Sequence, residues 1–499
     1  MEAFTDNTLY TMPRAVKCNP FIGGREVRPR GGNYFARENP ATETPFAEVA
    51  LCGRAEADAA VRAAQKAFDG WRRTPAPQRA KTLLKMAGVL EKNSERLALI
   101  NTRETGKPVR ESKLVEIGGS VKTLEYFAGL AHGICGEAME TSEGQASFTI
   151  KEPVGVAAQI VPWNFPVLLA FWKIAAALAA GCTVVVKPSE LTSVAITKIA
   201  GLFADKAGLP PGVLNVLTGA GAEAGDALCR HPGVAKIAFT GSTATGKAVM
   251  EAAAGGVKRV SLELGGKASC IVFEDADIGG AVEACLRGGF FNQGQNCTAV
   301  TKLLLHESIR RKFLNAYIKR VEKIKTGDPL SPATEMGALI SREHLDKVEG
   351  CVREAVSGGA RVLCGGGRRR GAGYFFKPTV LGDVRPGNVA AQTEIFGPVV
   401  AVMSFKTEGE ALKIANDTGY GLAGGVWTKD INRAMRCARA VEAGYVWVNT
   451  YGGIIPQTPY GGFKQSGFGK ELGAEGLENY LETKTVNISG VPAVKWYGG

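Results

Sequence analysis

Five short apolar runs recur at nearly even intervals and constrain the fold more than any other feature. They begin at Val154, Cys182, Gly212, Val234 and Lys258, so successive starts are 22 to 30 residues apart, and a helical pattern separates them. A strand and a returning helix need about that much chain, which predicts an α/β fold with a parallel sheet covered by helices. Ligands in such sheets bind beyond the carboxyl ends of the strands.

The flanking segments extend this picture. Helical spacing over residues 55–71 and 77–93 predicts that the first ~130 residues are mainly covering helices. From Lys267 the α/β pattern resumes less regularly, with strands predicted from Pro378, Gly397 and Gly444. A chain of 499 residues exceeds one typical domain of about 150 residues, so a second α/β domain is expected.

Composition excludes several classes of protein. The eleven cysteines include no C-x-x-C pair, which favours a reducing compartment over a disulfide framework or a zinc site, and the four histidines show no metal-binding spacing. We expect no bound metal. The N-terminus lacks a secretory pattern, so a cytoplasmic location is expected, with a mitochondrial one as the alternative.

Neither a membrane span nor a nucleic-acid site is expected. The most apolar stretch, residues 167–186, contains Lys173 and is broken by Gly181, which predicts a buried helix followed by a buried strand. The net charge is +12, but the basic run at residues 367–373 has no interleaved aromatic residues and is interpreted as a solvated loop.

Two glycine-rich loops follow predicted strands. The stretch FTGSTATGKA contains Gly241 and Ser242 and resembles a nucleotide-triphosphate loop, but Ala248 replaces the hydroxyl that would hold Mg²⁺. Either the match is chance or the loop binds a phosphate that needs no metal. The second loop, TGAGAEAG with Gly221, is one residue longer than the dinucleotide fingerprint.

The segment KPSE, residues 187–190, comes directly after a predicted strand. Lys187 and Glu190 could hydrogen-bond a ribose diol, and the carboxylate would repel a 2′-phosphate. Equally, the segment could be a helix start with Ser189 as the N-cap.

Glu263 and Cys297 are the strongest candidates for chemistry. Glu263 ends an apolar strand, where a carboxylate without a task or a partner is costly to bury. Cys297 lies in the polar segment FFNQGQNCTAV, unlike most of the other cysteines. Because no histidine is suitably placed, its thiolate would depend on dipoles and nearby positive charge for activation.

Together these segments resemble the aldehyde dehydrogenase superfamily from about residue 39 to residue 487. The motifs PWNFP, KPSE, FTGS, LELGGK, GQNC, EIFGP and PYGGFKQSGFGKELG occur in the family's order and spacing. The resemblance implies a Rossmann-like cofactor domain, a second α/β catalytic domain and a small β extension for oligomerisation. The implied bounds are 1–132 with 154–264, then 265–465, then 133–153 with 480–492.

The resemblance also implies a mechanism. Cys297 attacks the aldehyde, the Asn164 amide and the Cys297 backbone N–H stabilise the oxyanion, and Glu263 activates water to hydrolyse the thioester. The implied cofactor is NAD rather than NADP, because Glu190 would face a 2′-phosphate. The cofactor contacts carried over are Trp163, Lys187, Ser189, Glu190, Gly221, Gly241, Ser242, Leu264, Glu394 and Phe396.

Within the superfamily the chain is most similar to betaine-aldehyde and amino-aldehyde dehydrogenases. Phe165, Trp172 and Tyr460 match aromatic tunnel positions that could hold a quaternary ammonium, with Asn296 and Ile454 also lining the tunnel. Pro456 lies where many betaine-type enzymes have a tryptophan, so the aromatic site for a cation looks incomplete. A broad-specificity enzyme for aliphatic and aromatic aldehydes is therefore the alternative.

A homodimer or homotetramer is expected, since pairing of sheet edges covers them. The rival functions are a P-loop ATPase, a thiol esterase and a catalytically idle family member.

Overall fold

The structure is a computed structural model that describes residues 16–141 and 145–490. The predicted cofactor domain therefore begins with fifteen residues that lie outside the described part, as do residues 142–144 and 491–492 of the predicted β extension.

The described residues form 23 strands. In chain order they are β1 Val16–Cys18, β2 Phe21–Ile22, β3 Arg25–Glu26, β4 Tyr34–Asn39, β5 Thr44–Ala50, β6 Ala138–Glu140, β7 Gln145–Pro153, β8 Val156–Val161, β9 Thr183–Pro188, β10 Leu214–Val216, β11 Lys236–Thr240, β12 Arg259–Glu263, β13 Ala268–Val272, β14 Val300–His306, β15 Arg361–Cys364, β16 Thr379–Gly382, β17 Val399–Phe405, β18 Tyr420–Gly421, β19 Ala423–Trp427, β20 Tyr445–Val448, β21 Phe463–Lys464, β22 Gly467–Phe468 and β23 Leu481–Ser489.

Sixteen α-helices accompany them in the same residues. They are α1 Arg54–Arg73, α2 Ala76–Lys92, α3 Ser94–Thr105, α4 Val109–Glu111, α5 Gly118–Ala131, α6 Pro166–Ala180, α7 Val194–Leu202, α8 Asp226–Arg230, α9 Thr243–Ala254, α10 Ile278–Phe290, α11 Glu307–Val321, α12 Arg342–Ser357, α13 Val389–Gln392, α14 Glu408–Asn416, α15 Ile431–Ala440 and α16 Gly473–Glu478. Short π-helical turns at Ser112–Ile117, Phe203–Ala207 and Gly221–Gly225 and a 3₁₀ turn at Phe291–Gly294 complete the helical segments.

The first large sheet has the order β22-β12-β11-β8-β9-β10-β2-β3. Its five central strands are mutually parallel and begin within two residues of the five predicted runs. The prediction of an α/β fold with a parallel sheet is confirmed. Residues 466–479, which the predicted domain division left unassigned, return to this sheet through β22.

The stretch 167–186 forms a helix and a strand as predicted. Helix α6 begins with Pro166, where a missing N–H costs nothing, and is terminated after Ala180 by Gly181, whose φ of +98° suits glycine. Every residue of α6 except Leu168 is buried, so the helix is apolar all round because it lies inside the core. No helix in the described ranges is long and apolar enough to cross a membrane.

The second large sheet has the order β15-β16-β17-β14-β13-β19-β20 and is parallel apart from its β15 edge. It contains the strands predicted from Pro378, Gly397 and Gly444. A third, antiparallel sheet joins β6, β7 and β23, and β7 pairs with β23 over nine residues. The domain bounds assigned to these three regions stay a prediction.

The N-terminal region differs from the mainly helical prediction, because five strands precede α1. Strands β4 and β5 form a hairpin, and β2 joins the first large sheet through a pairing of Phe21 with Val216. These strands have two to seven residues and several are half-exposed. Their pairing partners, rather than an apolar periodicity of their own, define them.

Candidate active site

The carboxyl ends of the parallel strands in the first sheet carry the predicted functional segments. Asn164 follows β8, and Lys187 is the next-to-last residue of β9. Gly241 follows β11, and Glu263 is the last residue of β12. Because these strands are neighbours and run in the same direction, the segments meet at one edge of the sheet.

Two cavities meet at Cys297. The first, called the cleft here, has a volume of about 290 Å³ and is lined by residues that include Trp163, Gly241 and Glu394. The second, called the tunnel here, has a volume of about 310 Å³ and is lined by residues that include Phe165 and Trp172. Cys297 lines both cavities, and so does Leu169. A thiol at this junction can contact molecules held on either side.

The Cys297 thiol follows a short turn with an unusual backbone conformation. The preceding 3₁₀ turn contains Asn292 and Gln293 at positive φ, +50° and +57°. The Cys297 sulfur lies 3.3 Å from the Tyr460 hydroxyl oxygen. Burial raises the pKa of this thiol to about 12, while the Tyr460 hydrogen bond lowers the pKa and the carboxylates of Glu394 and Glu263 raise it. No positively charged side chain is among the groups that shift this pKa, and burial favours the protonated thiol.

Asn164 is positioned by a network of buried groups. Its side-chain amide donates to the Gln295 backbone carbonyl at 3.0 Å. The backbone carbonyl of Asn164 accepts from Lys107 Nζ at 2.6 Å and from Asn292 Nδ2 at 2.9 Å. Lys107 also pairs with the buried Glu116 carboxylate. Asn164 and Cys297 both line the cleft, and the hydrogen bond to Gln295 fixes the position of the Asn164 amide there.

Glu263 is buried at the end of β12, and its Oε2 atom has no hydrogen-bond partner among the described residues. Burial raises its pKa well above the ordinary carboxyl value, and the nearby Glu471 raises the pKa further, while Lys173 lowers it. Lys173 and Glu471 form their own buried ion pair at 2.7 Å. An unpartnered carboxyl group with a raised pKa can accept a proton near neutral pH.

Six of the predicted cofactor residues line the cleft together, and four do not. Those in the cleft are Trp163, Gly241, Ser242, Leu264, Glu394 and Phe396. Glu394 is half-buried and accepts a hydrogen bond from the Gly266 N–H at 2.8 Å. A Cβ atom at Gly265 would lie 2.4 Å from Glu394 Oε2, so glycine there leaves room for the carboxylate.

Ser242 caps the helix that opens at the cleft. Its Oγ accepts from the Thr245 N–H at the start of the twelve-residue helix α9. A helix N-terminus favours a negatively charged group such as a phosphate. Glu394 and Cys297 line the same cleft as Ser242, so one molecule held there could contact all three residues.

The remaining predicted cofactor residues, Lys187, Ser189, Glu190 and Gly221, lie outside the residues that line the cleft. Lys187 is buried and its Nζ lies 3.4 Å from Glu190 Oε2. The alternative interpretation of KPSE as a helix start is wrong, because α7 begins at Val194 with Ser193 before it. Ser189 Oγ instead accepts from the Leu191 N–H within a turn. Gly221 begins a π-helical turn after β10.

All five predicted substrate residues line the tunnel, and they are Phe165, Trp172, Asn296, Ile454 and Tyr460. Trp172 and Tyr460 pack edge to face with their ring centroids 5.0 Å apart. Pro456 also lines the tunnel. The wall is therefore apolar and aromatic close to the thiol.

The eleven cysteines are all free thiols. Within residues 16–141 and 145–490, no group of three or more histidine, cysteine, aspartate or glutamate side chains could hold a metal ion.

Comparison with known proteins identifies the family to which this site belongs. Residues 27–486 match the group described as "Aldehyde dehydrogenase family". The chain belongs to the aldehyde dehydrogenase family. The family prediction made from the sequence is thereby confirmed, and the chain is an aldehyde dehydrogenase.

The similar proteins differ in the aldehydes that they are named for. Retinaldehyde dehydrogenase 3 of Rattus norvegicus is 43% identical over 94% of this chain and 92% of its own length. Betaine aldehyde dehydrogenase 1 of Oryza sativa subsp. japonica is 43% identical over 93% of this chain and 94% of its own. The crystal structure of betaine aldehyde dehydrogenase from Staphylococcus aureus in complex with NAD⁺ has a TM-score of 0.95 at 39% identity, covering 99% of both chains.

Several residues of this aldehyde dehydrogenase site were not predicted from the sequence. His344 lines the cleft and bonds the Phe396 carbonyl at 2.7 Å, and burial lowers the pKa of His344 to about 4. Phe291 lines the tunnel and stacks on Phe165 at 5.9 Å. Lys107 and Arg287 were also missed. Phe291 lies in the quoted segment FFNQGQNC, so its proximity to Cys297 was a usable signal, whereas Lys107 and His344 are distant in sequence.

Proposed function

We propose that this aldehyde dehydrogenase oxidises an aldehyde to the carboxylic acid with NAD⁺ through a covalent adduct on Cys297. The observation that supports this most strongly is the position of Cys297 at the junction of the cleft and the tunnel. An aldehyde entering by the tunnel and a dinucleotide held in the cleft would both be in contact with the thiol.

The chemistry requires a proton to leave the thiol before attack. With a pKa of about 12, Cys297 is protonated at neutral pH, so an acceptor is needed. Glu263 is the proposed base, because its unpartnered Oε2 and raised pKa suit proton transfer. The thiolate then attacks the carbonyl carbon, and the Asn164 amide donates to the oxygen, which becomes negative.

NAD⁺ held in the cleft would supply the oxidant, because its nicotinamide can take up a hydride from the adduct on Cys297. Glu263 first releases the thiol's proton to solvent. Water then attacks the thioester on Cys297 as its proton passes to Glu263, and Glu263 returns that proton to the departing sulfur, so that the acid leaves and the thiol is restored. The same carboxyl group thus serves as base in both halves of the reaction. Asn164 and the Cys297 backbone N–H are proposed to hold the oxygen in each half.

The proposed cofactor preference is NAD⁺ over NADP⁺. The preference is supported by Glu190, which is half-exposed beside Lys187 beyond the end of β9. Lys187 and Glu190 are proposed to bind the adenosine ribose, and Ser242 the pyrophosphate. Glu394 is proposed to bind the second ribose. Phe396 and Trp163, whose ring centroids are 5.3 Å apart, are proposed to pack near that ribose.

The proposed substrates are aliphatic and aromatic aldehydes, in line with the apolar tunnel wall. Betaine aldehyde or an amino-aldehyde is the second candidate, supported by the aromatic pair Trp172 and Tyr460. One observation weighs against a cationic substrate: Lys107 Nζ already lies 4.3 Å from the centroid of Phe165. The relatives named for betaine aldehyde and for retinaldehyde are equally identical to this chain, so they do not separate the candidates.

The direct test is NADH formation by the purified protein with betaine aldehyde, aminobutyraldehyde, hexanal and phenylacetaldehyde. Cys297→Ser is expected to abolish turnover, while Cys351→Ser, a change at a partly buried cysteine on α12, serves as the matched control. Turnover that survives Cys297→Ser, or no NADH from any aldehyde, would contradict the proposal.

We also propose that the third sheet mediates self-association, giving a dimer or a dimer of dimers. Strand β23 is a nine-residue edge strand, and most of its residues are exposed. Pairing with another subunit would cover this edge. Light scattering that shows a stable monomer would contradict this.

A further inference from the structure

The open end of the tunnel carries two cationic side chains, Arg287 and Lys122. Both are exposed, whereas Trp172 and Tyr460 near the thiol are buried, so the cations lie toward solvent. No aspartate or glutamate is among the residues that line the tunnel. The positive charge of the tunnel is therefore not neutralised by its own wall.

Arg287 has space and an aromatic support. It lies in the last turn of α10, with its guanidinium carbon 5.9 Å from the Phe291 ring, and that ring stacks on Phe165. Opposite is Gly452, with a φ of +77°, where an added Cβ atom would lie 3.5 Å from Arg287 Nε. A side chain larger than glycine at this position would begin to fill the space beside the guanidinium.

The charges of both residues are free for a ligand. Across the described ranges, neither Arg287 nor Lys122 forms an ion pair or a side-chain hydrogen bond with another residue. The five N–H donors of an arginine form a fork that matches a carboxylate, and such bonds are stronger than those between neutral groups. Lys122, which lines the same tunnel, adds a point charge of the same sign.

We propose that Arg287, assisted by Lys122, binds an anionic group at the far end of the substrate, which makes the preferred substrates aldehydes that carry a remote carboxylate. The inference rests on the proposed function, since it assigns the aldehyde carbon to Cys297 and the carboxylate to the tunnel mouth. The same charges disfavour a quaternary ammonium substrate, because it would pass two cations on entry.

The test compares 6-oxohexanoate with its methyl ester, which differ in charge at the end remote from the aldehyde. We expect wild-type kcat/KM to be roughly tenfold higher for the carboxylate, the size of effect expected for a charge-assisted hydrogen bond. The difference should lie mainly in KM and should shrink as salt is added.

Variants then assign the preference to a residue. Arg287→Gln is expected to bring the ratio of the two kcat/KM values close to one, Arg287→Lys to retain part of it, and Lys122→Gln to lower it less. Arg311→Gln, which removes the same charge from an exposed position on α11 outside the tunnel, is the matched control and should leave the ratio unchanged.

The outcomes separate this inference from the proposed function. If the ester is oxidised but the ratio is the same in wild type and Arg287→Gln, the anionic subsite is refuted while aldehyde oxidation stands. A higher kcat/KM for betaine aldehyde than for 6-oxohexanoate refutes it as well. If no aldehyde yields NADH, the proposed function fails and the subsite fails with it.

Discussion

The sulfur of Cys297 lies 3.3 Å from the hydroxyl oxygen of Tyr460, a residue 163 positions further along the chain. Burial raises the pKa of the thiol, and this hydrogen bond offsets part of the increase. Tyr460→Phe should therefore raise the pKa of Cys297. The rate of alkylation by iodoacetamide at pH 8 should fall about two- to tenfold, the effect of losing one hydrogen bond.

Tyr445→Phe is the control for this change, because the Tyr445 hydroxyl bonds Thr458 rather than the thiol and its ring lies 6.0 Å from that of Tyr460. An unchanged alkylation rate in Tyr460→Phe would mean that the hydroxyl does not stabilise the thiolate.

The raised pKa of Glu263 predicts how activity depends on pH. Glu263 must be deprotonated to act as a base, and burial together with Glu471 raises its pKa well above the ordinary value. The value of kcat/KM should therefore rise with pH, with a midpoint well above the ordinary pKa of a carboxyl group. Glu263→Gln should lower kcat about 10²- to 10⁴-fold and remove that dependence. A pH profile that is the same in the variant would assign the base to another group.

Glu263 should also reduce stability at alkaline pH. A carboxyl group whose pKa is higher in the folded state binds its proton more tightly when folded. Its contribution to the free energy of unfolding is therefore most favourable below the pKa of the unfolded state, and it is lost as pH rises through the pKa of the folded state. Glu263→Gln avoids this loss and should raise Tm at pH 8 by about 1–2 °C, with a smaller difference at pH 5. A lower Tm at pH 8 would contradict the assignment of an uncompensated buried carboxyl group.

Asn164 should affect the reaction more than substrate binding. Asn164→Asp keeps the shape of the side chain but removes the N–H donors, so kcat should fall about 10²- to 10³-fold with little change in KM. The measurement is steady-state kinetics with hexanal. A change confined to KM would show that the amide does not act on the oxyanion.

Glu190 provides the test of cofactor choice. Glu190→Ser removes a half-exposed carboxylate beside Lys187 and leaves the lysine free to contact a 2′-phosphate. The ratio of kcat/KM for NADP⁺ to that for NAD⁺ should rise roughly tenfold. Glu223→Ser, at an exposed carboxylate in the turn after β10, is the control. Equal ratios in all three proteins would contradict a ribose contact by Glu190.

The five central strands of the first large sheet and three strands of the second, β16, β17 and β20, could be predicted because they are apolar runs bounded by turns. The N-terminal strands could not, because β2 has two residues and is defined by its antiparallel pairing with β10, almost 200 positions away. The apolar periodicity of a short segment contains no information about a pairing partner that is so distant in sequence.

The candidate site shows the same division. Glu263 and Cys297 could be singled out because each is chemically unusual in its local segment. Lys107 lies in the polar segment ETGKPV, which resembles an ordinary loop, yet the folded chain buries it against Asn164. Arg287 is an unremarkable helix residue until the loop at Gly452 is seen to pass beside it.

The buried pair of Lys107 and Glu116 should stabilise the fold around Asn164. Lys107→Met leaves the Glu116 carboxylate without its cation, although Glu116 still accepts the N–H groups of Val167 and Leu168 at 3.1 and 2.8 Å. Loss of one partner of a buried ion pair typically costs about 3–5 kcal/mol, so the free energy of unfolding in urea should fall by about that amount.

The double variant Lys107→Met/Glu116→Gln should recover part of the loss, because a neutral amide needs no cation while its oxygen can still accept the two N–H groups. Lys113→Met, which breaks the exposed pair with Glu95, is the matched control and should cost less than about 1 kcal/mol. If the double variant is no more stable than Lys107→Met alone, Lys107 stabilises this region by packing and by its bond to the Asn164 carbonyl rather than by neutralising Glu116.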